Sequence, residues 1–425
     1  MLTVPLTQLP ADFRARALRW AAGFVHCAYY EPNDLPYPSG PFRRVLAVAA
    51  AAPDAPGNLG ELEAWLADGA DSVAPACGFI SYEVKDELED LSSANYSKLA
   101  WPNLHFFRPH TWLTWEGNQL KIHGETAGVL AAITATLLPQ VPPPAVTAVT
   151  PRMPQADYLR AVDAVREDIL NGEVYELNLC QEFTADNVRL DPVDVFERLN
   201  AASPAPFAGF VRHENHFLLC ASPERFVRRT GPVLLSQPIK GTIARGATAA
   251  EDAQQRHTLL HDEKERAENL MIVDLVRNDL ARVAQTGTVQ VPELFGLYPF
   301  RHVWQMISSV TARLRPGLDV VDVLRAAFPM GSMTGAPKIR AMQLIEHYER
   351  RRRGLYSGSL GLIWPNGDFD FNVVIRSLQY RQDTGHLSFQ VGSAITYDSV
   401  PEREYAECLL KARAMLEVLG AVVSE

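Results

Sequence analysis

The amino-acid sequence predicts an α+β fold, and three observations lead to it. Apolar residues recur at helical spacing in some segments, as at Leu159, Val162, Val165 and Ile169. Other segments are runs rich in Val, Phe and Leu, joined by turns. That pattern suggests hairpins and antiparallel pairing, not a Rossmann sheet. The composition, 47% apolar and 21% charged over 425 residues, supplies ample material for a large core.

The elements follow in order. Val141–Pro154 (VPPPAVTAVTPRMP) is a proline-rich connector, because proline continues neither a helix nor a central strand. It separates residues 1–150 from residues 151–425. Ala156–Leu170 is a helix with Gly172 just past its end. Val174–Thr184 and Phe207–Gln237 are strand-like. Ala249–Ala284 is polar first and apolar later, one or two long helices. Ala336–Glu349 is a helix with Pro337 in its first turn. Tyr356–Tyr397 holds several strands and a turn at Pro365–Asp368. The last helix starts at Ser399, where Ser399-Val400-Pro401-Glu402 reads as a capping box.

Charge and cysteine content exclude several classes. Forty basic against 50 acidic residues give a net charge of −10, which argues against a nucleic-acid or anionic-membrane partner. Cys27, Cys77, Cys180, Cys220 and Cys408 are scattered without a C-x-x-C, so neither a disulfide framework nor a zinc knuckle is expected. The N-terminus lacks a basic region followed by an apolar one. The apolar stretches Val45–Ala52 and Gly128–Leu138 fall short of the ~18 residues a membrane span needs. A cytoplasmic protein is expected.

Several constellations can carry chemistry. Glu265/Glu268 and Glu404/Glu407 are i, i+3 pairs, each on one helix face. Brought together they would make a hard oxygen site suited to Mg²⁺. Taken alone, each pair also fits a solvated face. His257 and His261 resemble a zinc spacing, but Thr258 stands where a metalloprotease has glutamate, and a solvated face is the simpler reading. His213 and His216 read as a hairpin turn. Gly331–Lys338 is a glycine-containing loop entering a helix, either an anion site or a tight turn. Lys240 follows an apolar strand. If buried there, its ammonium is disfavoured and its amine becomes nucleophilic; otherwise it is a surface lysine. Glu224 closes an apolar strand and is expected to be half buried. Arg350–Arg353 reads as a solvated basic helix end.

Together these segments resemble the chorismate-utilising enzymes. The resemblance runs from Ala156 nearly to the C-terminus. It rests on SPERF (Ser222–Phe226), PIKGT-x-x-RG (Pro238–Gly246), ERAENLMIVDLVRNDLARV (Glu265–Val283), GSMTGAPKIRAMQLIE (Gly331–Glu346) and DSVPEREYAECLLKARA (Asp398–Ala414). Gly78–Glu83 and Pro102–Pro109 are weaker matches to the family's N-terminal region. The resemblance implies one intertwined fold of two large antiparallel sheets with flanking helices, in which residues 1–150 are not an independent domain.

Within the family, Glu176 stands where isochorismate and salicylate synthases carry a lysine base. Anthranilate synthases read P-I-A-G-T where this chain reads Pro238-Ile239-Lys240-Gly241-Thr242. The resemblance therefore implies the aminodeoxychorismate synthase branch, which aminates chorismate at C4 and keeps the enolpyruvyl group. It implies Lys240 as nucleophile at C2 and Glu224 as general acid. It implies Mg²⁺ held directly by Glu268 and Glu407 and through water by Glu265 and Glu404. The enolpyruvyl carboxylate would meet Tyr356, Arg376 and N–H groups at Gly392-Ser393-Ala394, with Gly241, Thr242 and Lys411 completing the pocket. Gln305 replaces the family's histidine, Leu362 its tyrosine, and Ala394 the last glycine of G-x-G. No glutamine-hydrolysing module follows, so ammonia is expected from solution or from a separate glutamine amidotransferase subunit. No L-L-E-S motif is recognisable, so feedback by tryptophan is not expected. The alternatives are anthranilate synthase, an inactive ligand- or partner-binding member, and a zinc hydrolase built on His257/His261.

Overall fold

Strand side chains point alternately to opposite faces, and this sorts the apolar residues into layers. Along His26–Glu31, Cys27 and Tyr29 join one buried cluster while Ala28 and Tyr30 join another. The computed structural model, which describes residues 1–424, extends that pattern into four layers. Two sheets pack face to face around Ala28, Tyr30, Val45, Phe79, Phe107 and Leu360. Helices Phe13–Ala21, Gln155–Leu170, Pro192–Ala202, Lys338–Glu349 and Pro401–Leu419 cover the outer face of the larger sheet. Leu59–Asp68, Glu263–Ala281 and Val320–Ala327 cover the smaller one. No helix among the described residues is long and apolar enough to cross a membrane.

The larger sheet has 13 strands. Its order is Leu2–Pro5, Gln119–Gly124, Thr111–Glu116, Val45–Ala49, His26–Glu31, Phe207–His213, His216–Ser222, Ser377–Arg381, His386–Ile395, Glu176–Ala185, Ala148–Pro151 and Val422–Val423, with Gly335–Ala336 beside Glu176–Ala185. The smaller sheet has nine. It runs Ile239–Ala244, Val303–Arg313, Val233–Gln237, Arg225–Thr230, Phe369–Asn372, Ser359–Ile363, Ala76–Ile80 and Leu104–Phe107, with Gln290–Pro299 beside Val303–Arg313. Pairing is antiparallel except between Ala148–Pro151 and Val422–Val423. Strands from the first 150 residues pair with later ones in both sheets: His26–Glu31 with Phe207–His213, and Ala76–Ile80 with Ser359–Ile363.

Several boundaries differ from the sequence reading. The connector contains the short strand Ala148–Pro151 next to the edge strand Val422–Val423, which pairs only with Ala148 and Val149, so Pro151 has no partner on that side. Ala249–Ala284 divides into Ala249–His261 and Glu263–Ala281, each started by its own cap, Thr248 and Asp262. Helix Lys338–Glu349 begins after Pro337, because Ala336 pairs with Glu176 in the sheet. The Ser399 capping box does not form: Ser399 Oγ accepts from the Thr396 N–H at 3.1 Å, and the helix starts at Pro401 with no side-chain cap.

The largest correction concerns Arg350–Arg353. Arg353 is not a solvated helix end; its side chain is 1% exposed. Arg350 takes a left-handed backbone (φ 52°), which ends the helix and turns the chain back into the core. Arg353 then pairs with Glu349 at 2.6 Å and donates to the carbonyls of Met333 (2.6 Å) and Asn178 (2.8 Å). Glu349 accepts from the Cys180 N–H at 2.9 Å. Removing one member of such a pair strands the other charge in the core. Glu349→Ala is therefore expected to lower stability by roughly 3–5 kcal/mol. Arg413→Ala, which breaks a solvent-exposed pair with Glu417, is expected to lower it by less than about 1 kcal/mol. Urea midpoints of the two variants check the contrast.

Candidate active site

The chain crosses between the two sheets twice near one place. His216–Ser222 belongs to the larger sheet and Arg225–Thr230 to the smaller, so Pro223 and Glu224 bridge them. Phe369–Asn372 and Ser377–Arg381 are split in the same way, and Arg376 lies on that second bridge. Ser222 Oγ donates to Val373 O at 2.5 Å and ties the crossings together. Arg225 fixes the first bridge from below. It is fully buried, bidentate to Asp370 (2.9 and 3.0 Å), and donates to Gln237 Oε1 and Gly40 O.

Glu224 is buried, beyond the half-burial expected. Its Oε1 accepts from Ser332 Oγ at 2.8 Å. Burial pushes its carboxyl up to about 7, against the opposing pull of Ser332 and Lys240. A carboxyl that holds its proton near neutrality is suited to general acid work. The Gly331–Lys338 loop is thus no anion cradle. Its 3₁₀ turn Gly331–Met333 is buried and carries Ser332 to Glu224, while Lys338 Nζ pairs with Asp279 at 2.7 Å.

Lys240 lies on Ile239–Ala244, its side chain 13% exposed. Its Nζ donates to Glu176 Oε1 at 2.8 Å; Glu176 Oε2 is buried without a partner. Burial alone would lower the lysine, as the sequence suggests. The carboxylates of Glu176, Glu268 and Glu407 outweigh it and hold Lys240 above the ordinary lysine range. The resting group is therefore an ammonium, not the free amine expected from burial alone. Asn269 secures this strand to helix Glu263–Ala281, donating to Lys240 O at 3.1 Å and accepting from Ser308 Oγ at 2.6 Å.

The four glutamates lie on two helices that face the same lysine. Gly241 makes room for one of them. Its backbone is left-handed (φ +98°), and a Cβ there would sit 3.3 Å from Glu265 Oε2. Burial and the neighbouring Glu268 raise Glu265 to about 7, and burial also raises Glu268 despite Lys240. Burial opposes ionisation of Glu407 too, but Lys411, at 2.6 Å, holds it below the usual range. Glu404 is buried. No three of the four carboxylates offer oxygens that all lie within 4.8 Å of one another. Mutually repelling, partly desolvated carboxylates are nonetheless the donor set that fits a hard divalent cation keeping several waters.

Arg376, Tyr356 and strand His386–Ile395 are the remaining candidates, and Arg376 feels the charge of Glu407. Arg376 is desolvated, which lowers its guanidinium, and it makes no side-chain hydrogen bond or ion pair among the described residues. Tyr356 is buried nearby with its hydroxyl 3.6 Å from Cys180 Sγ. Strand His386–Ile395 has Ser377–Arg381 on one side only as far as Phe389, so alternate N–H groups through Gly392, Ser393 and Ala394 face an open edge. Ser393 Oγ lies 3.1 Å from Tyr158 OH, and Lys411 Nζ donates to Gly392 O at 2.7 Å. Thr242 pairs in register with Gln305, whose Oε1 is buried and unpartnered.

Other sequence candidates lie elsewhere. His257 and His261 stack at 4.1 Å on an exposed helix, and no third ligand joins them among the described residues, so the zinc-hydrolase reading has no site. Leu362 is buried in the sandwich core. Ser332, Asn269 and Arg225 escaped the sequence reading as site-building residues, although all three sit inside motifs it singled out.

A sequence profile described as chorismate binding enzyme matches residues 37–417. The chain is 34% identical over 365 residues to aminodeoxychorismate synthase component 1 of Bacillus subtilis (strain 168), covering 81% of this chain and 76% of that protein. It is 44% identical over 260 residues to anthranilate synthase component 1 of Methanothermobacter thermautotrophicus, covering 61% and 55%. The crystal structure of anthranilate synthase component I from Streptococcus pneumoniae superposes with a TM-score of 0.72 at 26% identity, covering 92% of this chain and 90% of that one.

The raised Glu224 carboxyl has a consequence for stability. Its folded value of about 7 exceeds its ordinary 4.5. As pH rises from 4.5 to 7 the unfolded chain releases this proton before the folded chain does, so stability falls across that window and stays lower above it. Glu224→Gln removes the effect. The variant is expected to gain about 3 kcal/mol relative to wild type on going from pH 4.5 to pH 8. Denaturation at the two pH values measures it.

Proposed function

This chain belongs to the chorismate binding enzyme family and is a chorismate-utilising enzyme, and from that premise we propose that it replaces the C4 hydroxyl of chorismate with an amino group, giving 4-amino-4-deoxychorismate. The observation that carries this reading is Lys240: a largely buried ammonium bonded to one carboxylate, Glu176, that can take its proton, and close to a second, Glu224, that holds its proton near neutrality. A nucleophile, a base and an acid are thus juxtaposed.

In this reading the enolpyruvyl carboxylate is taken by Arg376, Tyr356 and the open edge at Gly392–Ala394, and Lys411 holds that edge. Glu268 and Glu407 would bind Mg²⁺ directly and Glu265 and Glu404 through water. The cation would supply electrophilic assistance at the ring carboxylate and positive charge that offsets the carboxylates keeping Lys240 protonated. Lys240 passes a proton to Glu176 and attacks C2. Both ring double bonds shift, C1=C2 to C1=C6 and C5=C6 to C4=C5, and the C4 hydroxyl leaves as water with the proton of Glu224. Ammonia then adds at C4 and gives its extra proton to Glu224, both double bonds return, and Lys240 is released and recovers its proton from Glu176. The net change is chorismate plus ammonia to aminodeoxychorismate plus water. Gly241 admits the glutamate helix, and Thr242 with Gln305 offers polar groups to the ring. Ammonia comes from a separate glutamine amidotransferase subunit; the phrase component 1 in the names of relatives supports a second component.

Anthranilate synthase is the second reading, favoured by the 44% identical relative. Incubation with chorismate, ammonium and Mg²⁺ separates the two. Retention of the enolpyruvyl group is expected; release of pyruvate with anthranilate would overturn the proposal.

Two further outcomes follow. Without ammonia, chorismate is expected to accumulate as a covalent adduct on Lys240, seen by intact mass and peptide mapping, and Lys240→Ala should abolish it. Glu268→Gln is expected to weaken Mg²⁺ binding in calorimetry and to cut turnover by more than about 100-fold, with an unchanged circular dichroism spectrum.

A further inference from the structure

His26, His105 and His213 meet in the gap between the two sheets. His26 and His213 stand opposite each other in register on neighbouring strands of the larger sheet. His105 comes from Leu104–Phe107 of the smaller sheet. Alternation fixes their direction: Leu104 and Phe106 join the outer cluster, whereas Phe107, like Ala28 and Val211, joins the inner one. All three imidazoles therefore lie on inward-facing positions. Their ring centroids are 5.0 Å (His26–His105), 5.3 Å (His26–His213) and 4.2 Å (His105–His213) apart. One ring nitrogen from each lies within 4.8 Å of the other two.

Packing alone does not account for the trio. His26 and His105 are 6% and 7% exposed. His26 Nδ1, His105 Nε2 and His213 Nδ1 are each buried with no hydrogen-bond partner. A buried nitrogen without a partner carries a desolvation cost, and each of the three neighbouring histidines has one. Phe79 and Phe107 wall the site, so an apolar side chain would pack there without that cost. Burial, followed by the neighbouring histidines, lowers His105 to about 2 and His213 to about 4. All three rings are neutral at physiological pH, the form in which imidazole binds metal.

We propose that His26, His105 and His213 form a binding site for a zinc-class divalent cation that joins the two sheets. Three imidazole nitrogens select zinc and its borderline neighbours and are a poor set for Mg²⁺, which prefers hard oxygens. Tetrahedral zinc with Zn–N near 2.0–2.1 Å places ligand nitrogens roughly 3.4 Å apart. The trio need close by no more than about 1.4 Å to reach that spacing. The fourth position is left to water. His216, with Nε2 bonded to Leu99 O at 2.7 Å, lies 6.1 Å from His213 and outside the set. The site is chemically distinct from the glutamates, and its role is to fasten the sandwich.

The test uses the full chain, stripped with chelator and returned to excess Mg²⁺. Zn²⁺ is added, unbound metal is removed by gel filtration, and retained zinc is counted by elemental mass spectrometry. Co²⁺ in its place reports tetrahedral coordination by its visible spectrum. About one retained equivalent is expected in wild type and in Glu268→Gln, falling to none in His213→Ala and His105→Ala. His213 is only partly buried, so its variant keeps the fold testable, with circular dichroism as the check. No retained metal in wild type overturns the proposal. So does retention that survives His213→Ala, or that is lost instead in His257→Ala.

Discussion

The buried pair between Arg353 and Glu349 is the interaction on which most of the site's geometry depends. Two charges taken out of water are stabilising only if their remaining hydrogen-bonding groups are satisfied. Here the satisfaction is itself the architecture. Arg353 holds the Gly331–Met333 turn through Met333 O and strand Glu176–Ala185 through Asn178 O. Glu349 takes the Cys180 N–H of that strand. Gln390 of the neighbouring strand donates to Arg353 O at 2.9 Å, and the guanidinium lies 4.7 Å from the Tyr82 ring of the N-terminal region. One ion pair thus sets the turn that presents Ser332 to Glu224 and the strand that presents Glu176 to Lys240.

Charge within the site is arranged in opposition. Burial pushes Glu224 and Glu265 toward their neutral forms and would push Lys240 the same way, yet nearby carboxylates keep the lysine charged. The site is a cluster of acids balanced by few bases, with Arg376 in the field of Glu407. Carboxylates so placed repel an anion unless positive charge accompanies it. That links the acidic composition of the whole chain to the chemistry of its pocket.

Much of the site was legible because its residues sit at strand ends and helix faces where local rules apply. Glu268 runs directly into the apolar stretch after it, and Lys240 follows an apolar strand; each placement is visible without tertiary knowledge. The state of Lys240 was not, because it depends on Glu176, Glu268 and Glu407 arriving from other elements. Arg353 looked solvated for the same reason: only the left-handed turn at Arg350 sends it inward. Ser399 matched a capping pattern but bonded Thr396 instead. The three inward histidines come from strands far apart in the chain, and two of them drew no attention because a lone histidine in an apolar strand has no spacing to read. The outline of the fold was better conserved between reading and structure, since hairpin-rich apolar runs leave few ways to bury both faces.

The two crossings between sheets give the pocket a mechanical character. Glu224 and Arg376 ride on the only stretches described above where the backbone passes from one sheet to the other at the site, and the bridge at Pro223–Glu224 is too short to absorb movement. A sliding of one sheet over the other would therefore change the gap between Glu224 and Arg376, as the jaws of a caliper follow its beam. Packing between the sheets, where Leu360 and Phe79 lie, thus bears on how Glu224 and Arg376 are held although neither core residue lies beside them.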